Sequence, residues 1–378
     1  MLIFAASIAV FVYGMVAAML GTINPGLAAR FGLDNVQTGY MALAQGLGLV
    51  IASVSVGPLM DRRGKKVGLL LGLGFVTVAM LILANATGYE MAMAAMLLMG
   101  VGGGITITGA NALGSDVSES RRATVLNFLN VFVGLGGMVT PFVAGNLLSS
   151  DAVRVAYGGA ILTAIALLVQ LATRMPTPSA SGVKAGGSGA VFKRPVLYLL
   201  ALTIFLYTAC EFGVWNWLVR YLIIQGIEES RALTILSLGF ALGMLLGRVA
   251  IAPVLIKVAP LTVTLGSAVA MAITTFAMLR VSDPTSAAVV VFCVGLAMAP
   301  LFPTTVAVTG NTFKQGTATA IGFMITCGFS GVTLSSPLIG WLSGADPKGL
   351  RTGLMVLPVF SAMIAAINLA LRRRTDLR

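Results

Sequence analysis

Apolar and polar positions alternate along this 378-residue chain on the scale of whole helices rather than of single turns. Runs of twenty or more mostly apolar residues cover 3–28, 37–60, 67–87, 90–112, 123–148 and 154–173. A second series covers 196–224, 231–256, 260–280, 286–310, 317–343 and 352–371. Short breaks rich in Gly, Pro or charge separate them. A hydrocarbon core of about 30 Å needs ~20 residues of helix, so each run predicts one membrane-spanning helix. The expectation is an all-α integral membrane protein with twelve transmembrane helices.

The two series align at a nearly constant offset. Tyr13 pairs with Tyr207 (194 residues apart), Gly48 with Gly243 and Gly100 with Gly295 (195), and Pro141 with Pro337 (196). This register predicts two pseudo-symmetric six-helix halves, 1–173 and 195–378. The stretch 174–194 between them carries Pro, Gly, Ser and basic residues and reads as a flexible linker. Gly68/Gly72, Gly100/Gly104, Gly243/Gly247 and Gly340/Gly344 read as small pairs that let helices approach closely. Pro300 and Pro303 predict a kink in the tenth span.

Composition agrees with a lipid solvent: 58% of residues are hydrophobic and only 10% charged. The apolar start, Leu2 to Leu20, has no basic n-region and reads as the first span, not a cleaved signal. The net charge of +12 does not indicate a nucleic-acid partner, because the basic residues crowd alternate loops. Sixteen of them, including Arg62, Arg63, Lys65, Lys66, Arg194 and Arg372, fall on one side and seven on the other, with Arg248 inside a helix. The positive-inside rule then places both termini and the linker in the cytoplasm, which implies a multi-pass protein of the cell inner membrane. His is absent, and Cys210, Cys293 and Cys327 lie in apolar runs without ligand spacing, so no metal and no cofactor is expected. Nothing resembles a nucleophile–base pair or paired catalytic carboxylates, so an enzyme is not expected either.

Glu211 is the one carboxylate in the middle of a long apolar run. An acid at bilayer depth costs roughly 2.5 kcal/mol or more and marks a functional site, most economically one that takes up and releases a proton. Tyr207, Glu211 and Trp215, spaced i, i+4, i+8, share one face of the seventh span. A phenol, an acid and an indole on one face suit a sugar: the acid accepts its hydroxyls and the indole covers its C–H face. Trp217 and Tyr221 read as an aromatic belt at the membrane boundary. Amides at membrane depth are further candidates for binding substrate: Asn127 and Asn130 in the fifth span, Asn111 in the fourth, Gln45 in the second and Asn24 before Pro25. The alternative for each is a hydrogen bond that only joins helices. Arg248 lies about 13 Å from the inner end of its span at the standard helical rise, where it needs a counter-charge. It is expected to partner Glu211, hold a gate, bind an anionic substrate or contact loop carbonyls.

Gly57-Pro58-Leu59-Met60-Asp61-Arg62-Arg63-Gly64-Lys65-Lys66 resembles the G-x-L-x-D-R-x-G-R/K-K/R signature of the major facilitator superfamily. The resemblance covers essentially the whole chain. It implies that Asp61, Arg62, Arg63 and Gly64 latch the two halves on the cytoplasmic side. Phe205-Leu206-Tyr207 with Glu211, Gly213, Trp215 and Trp217 resembles the fucose/galactose/glucose:proton symporters, as do Gly247-Arg248, Phe302-Pro303-Thr304 and the set Phe31, Leu33, Gln37 and Gly39. That likeness implies uptake of a monosaccharide driven by protons, in a monomer within the bilayer. The chain departs from the family in lacking acids in spans 1 and 4, so coupling falls to Glu211 alone. Two rival readings stand beside it. One is a proton-driven exporter of drugs or other amphiphiles, from Gly137 to Gly145 and its partly matching antiporter motif. The other is a carrier of organic or sugar acids, with Arg248 or Arg220 on the carboxylate.

Overall fold

A computed structural model describes residues 1–117, 122–175, 188–314 and 316–373. The side chains of Asp61 and Asn127, both expected site residues, lie outside the described part. The first series of helices is α1 Leu2–Phe31, α2 Asn35–Ser55, α3 Lys65–Ala84, α4 Tyr89–Val117, α5 Arg122–Asn146 and α6 Ala152–Ala172. The second is α7 Pro195–Ile224, α8 Glu229–Lys257, α9 Pro260–Met278, α10 Pro284–Thr312, α11 Thr317–Ser343 and α12 Pro347–Arg372. Among the described residues, eleven of these helices are long and apolar enough to cross a membrane, and the 21-residue α2 runs beside them. A face of α6 that leaves Ile161, Ile165 and Leu168 more than half exposed fits a lipid surround.

Neighbour relations repeat with a shift of six helices. Pairs α1–α5, α2–α4, α3–α4 and α3–α6 recur as α7–α11, α8–α10, α9–α10 and α9–α12. The duplication extends to single atoms. Gly48 lies against the carbonyl of Leu97 and Gly100 against that of Gln45; Gly243 lies against Phe292 and Gly295 against Phe240. Each of these eight positions maps onto its counterpart at offset 195, and a Cβ at any of the four glycines would strike backbone. The glycine-pair expectation fails at Gly344, which sits at φ 65 with nothing near it and ends α11 as a turn residue.

Helix starts account for three of the chain's twelve acids. Asp34 forms a capping box with Gln37 at α2, Asp151 caps α6 through the amides of Val153 and Arg154, and Asp283 caps α10 through Ser286. The Ser286 amide holds the exposed Asp283 carboxyl below the usual carboxylate range. The expected kink in α10 is present, as a break at Ala299–Pro300 between two helical segments. Within 174–194, Ser188–Lys193 forms a short 3-10 helix with Val191 buried, so that end of the stretch is built rather than free coil; 176–187 lie outside the described residues.

The core is not uniform along the helix axes. At the end bearing both chain termini it divides into separate clusters, one around Ala6, Leu69, Leu113 and Leu129, another around Leu197, Phe313, Met324 and Leu371. Toward the opposite end a single core joins the halves. There α1 meets α7, α2 meets α11 and α5 meets α8.

A polar seam runs through that joined end. Asn24 Nδ2 donates to the Asn216 carbonyl at 3.3 Å, and Asn216 Nδ2 donates to Ser336 Oγ at 2.9 Å. Asn35 Nδ2 donates to the carbonyls of Gly344 and Asp346, and Ser237 Oγ to that of Met138. Arg220, 8% exposed, spans the halves by donating to Thr38 Oγ1 at 2.7 Å and to the Leu33 carbonyl at 3.0 Å.

Candidate functional site

Below the seam, α7 carries the expected acid. Glu211 keeps 15% of its side-chain surface and faces Arg248 of α8, with Nη2 at 4.0 Å from Oε1. Both belong to the second series, so Arg248 meets the acid within one half rather than across the two. The guanidinium is one-third exposed, yet its Nε is buried without a partner. A charge-assisted bond is normally 2.7–2.9 Å long, so this pair is associated but not locked.

Tyr207 is wholly buried one turn before Glu211, and its hydroxyl, in the field of both Glu211 and Arg248, completes no hydrogen bond. Its ring lies 6.3 Å from that of Phe302 in α10. Thr304, two residues on, buries a hydroxyl that also lacks a partner. Trp215, one turn after Glu211, packs edge-on against Phe240 at 5.2 Å and reaches over to Gly137 of α5. A Cβ on Gly137 would stand 3.2 Å from the indole, so the glycine lets Trp215 cross from one half to the other. Phe240 comes from a π-helical stretch, Ile235–Ala241, inside α8. Such stretches recur at functional sites because they turn side chains away from the regular helical face.

The structure thus brings Tyr207, Glu211, Trp215 and Arg248 together. Other expected residues sit elsewhere. Asn24 is in the seam, and Gln45 Nε2 donates to the Val16 carbonyl at 2.9 Å, joining α2 to α1. Asn111 is half-buried in α4 with an interaction of its own, and Asn130 is exposed on α5. Gly64 ends a short helix, Gly57–Arg63, at φ 91, where a side chain would be strained. Arg62 and Arg63 are exposed. The lysines that follow them reach carbonyls at helix ends of their own half: Lys65 donates to Ala112, Lys66 to Leu171 and Thr173.

Two expectations are corrected. Trp217 and Tyr221 form no boundary belt: they are 0% and 1% exposed, and the Tyr221 hydroxyl donates to the Leu279 carbonyl. Aromatic rings near the outer end of the span suggested a membrane interface, but α7 is enclosed by its neighbours through that turn. Arg220, weighed above as a substrate ligand, is instead occupied by the seam.

Sequence reasoning did not weigh Tyr13 beyond its place in the duplication. It lies in α1, half-buried, with its phenol in the field of Glu211. Its pairing with Tyr207 in the duplication was the available signal.

The chain is 26% identical over 369 residues to the 3-(3-hydroxy-phenyl)propionate transporter of Escherichia coli, covering 90% of this chain and 89% of that one. It is 30% identical over 141 residues to the 4-hydroxybenzoate transporter PcaK of Pseudomonas aeruginosa, a match spanning 37% of this chain and about a third (31%) of the relative. The fold matches that of FucP in the outward conformation with a TM-score of 0.66, at 18% identity and 99% coverage of both chains. Residues 6–336 match the family profile described as Major Facilitator Superfamily, and the chain belongs to that family of membrane transporters.

Proposed function

We propose that this transporter carries a small hydroxylated organic acid into the cell together with a proton, by alternating access between the halves 1–173 and 195–378. One observation carries the reading: the guanidinium of Arg248 stands 4.0 Å from the one acid buried in mid-span among the described residues, one-third exposed and with donors unspent. The aromatic rings of Tyr207, Trp215, Phe240 and Phe302 around it suit a flat apolar body attached to a carboxylate. One relative that matches nine-tenths of the chain is named for such an acid.

In this account Glu211 and the substrate carboxylate compete for Arg248. A proton on Glu211 removes the cost of its buried charge and frees the guanidinium for the substrate. The occupied site is then nearly neutral, and the halves can rock. Loss of substrate and proton on the other side lets Glu211 return to Arg248. Proton and anion therefore favour each other's binding, and the preference is reciprocal. With the basic loops taken as cytoplasmic, the joined end faces outward and the divided end inward, so this conformation is the one that releases substrate inside.

A neutral monosaccharide is the second reading, favoured by the indole of Trp215 one turn from Glu211, since an acid beside an aromatic face also binds polyols. Exchange assays with reconstituted protein separate the two: labelled hydroxybenzoate or hydroxyphenylpropionate against labelled hexoses, each with and without an inward proton gradient. Gradient-driven accumulation of the acid but no hexose supports the proposal; hexose accumulation alone refutes it.

A further inference from the structure

We infer that Tyr13 sets specificity by hydrogen-bonding a ring hydroxyl of the substrate, as the contribution of the first half to a site otherwise built by the second. The inference rests on the organic-acid reading above and names the feature of the acid that the protein reads.

Tyr13 and Tyr207 occupy equivalent places by more than sequence register. Two residues before Tyr13, the Phe11 carbonyl lies against Gly136 of α5; two residues before Tyr207, the Phe205 carbonyl lies against Gly331 of α11. Phe11 maps to Phe205 and Gly136 to Gly331 at the offsets of the duplication. The two phenols therefore occupy matching positions on α1 and α7, helices that pack against each other. Beside the Tyr13 ring is Gly103 of α4, where an added Cβ would be in ordinary van der Waals contact with the ring at 3.7 Å.

The two hydroxyls differ in setting. That of Tyr207 is buried in the field of Glu211 and Arg248, at the charged end of the site. Tyr13 makes no hydrogen bond among the described residues, and its side chain is only half-buried. A phenol is both donor and acceptor, and this one, half-buried and unpaired, can take a partner of either kind. A substrate hydroxyl on the far side of the ring from its carboxylate would supply one. Because Tyr13 belongs to the other half, that bond would also tie substrate binding to the relation between halves.

The test is counterflow exchange with reconstituted full-length protein, comparing 3- and 4-hydroxybenzoate with benzoate, for wild type, Tyr13→Phe and Tyr207→Phe. A neutral hydrogen bond predicts a preference for one hydroxylated acid of roughly 3- to 10-fold in KM. Tyr13→Phe is expected to erase that preference while leaving benzoate exchange near wild type. Tyr207→Phe is expected to weaken both acids alike and keep the preference. A merely structural role for Tyr13 would shift all substrates together. Preference unchanged in Tyr13→Phe, or absent from wild type, overturns the inference alone. Exchange of none of the three acids by wild type overturns the organic-acid reading with it.

Discussion

Arg248 Nη2 stands 4.0 Å from Glu211 Oε1, with the two side chains 35% and 15% exposed. At this spacing the cation offsets the buried carboxylate without saturating it, and on the proposed reading its remaining donors take the substrate carboxylate. Removing the guanidinium should therefore cost affinity before it costs folding. Arg248→Ala is expected to raise KM for the acid by about 10- to 100-fold, from charge-assisted bonds of ~1.5–3 kcal/mol. Arg248→Lys keeps the charge but loses the fork and should fall between. Exchange kinetics at saturating and limiting substrate measure both; an unchanged KM in Arg248→Ala places the substrate elsewhere.

Arg220 clasps the joined end, buried and bonded to Thr38 and Leu33 across the halves. Arg220→Gln should weaken that end and shift the protein toward the conformation in which it opens. The expected sign is faster alkylation of a reporter cysteine at Ser336 in a background lacking the three native cysteines. Unchanged labelling would mean that Arg220 supports the fold without governing the seam.

Gly21 of α1 lies against the backbone of Trp215 in α7. A Cβ there would overlap the Trp215 carbonyl oxygen, and backbone cannot swing aside as a side chain can. Gly21→Val is expected to fold, since Gly21 meets the other half rather than its own, but to be unable to close the joined end. The same cysteine reporter should label rapidly and transport should be lost while substrate still binds in a thermal-shift assay. Normal transport would show that α1 and α7 separate there without consequence.

Much of this was legible in the sequence because lipid imposes a simple code. Every span must be a long apolar helix, so the helix series, the duplication and the isolation of Glu211 follow from reading the chain. Tyr207, Trp215 and Arg248 followed from spacing and cost. The amides were harder, since a buried Asn or Gln needs a partner whether or not a substrate supplies one: Gln45 bonds the Val16 carbonyl and Asn24 the Asn216 carbonyl. Arg220 and Trp217 misled for a related reason. Hydropathy gives depth along a helix but not which face meets lipid and which meets the opposite half. Phe240 was hidden because the π-helical stretch of α8 shifts the face that ordinary periodicity assigns.

Proton-driven uptake through Glu211 is the central claim, and Glu211→Gln tests it most directly. The amide keeps the volume and a hydrogen-bonding tip but cannot take up a proton. Uptake of labelled hydroxybenzoate and hydroxyphenylpropionate would be measured in proteoliposomes with and without an inward proton gradient. Wild type should accumulate the acid only with the gradient, and Glu211→Gln should lose accumulation and its dependence on pH while retaining exchange. Gradient-driven accumulation by Glu211→Gln at the wild-type level would contradict the account.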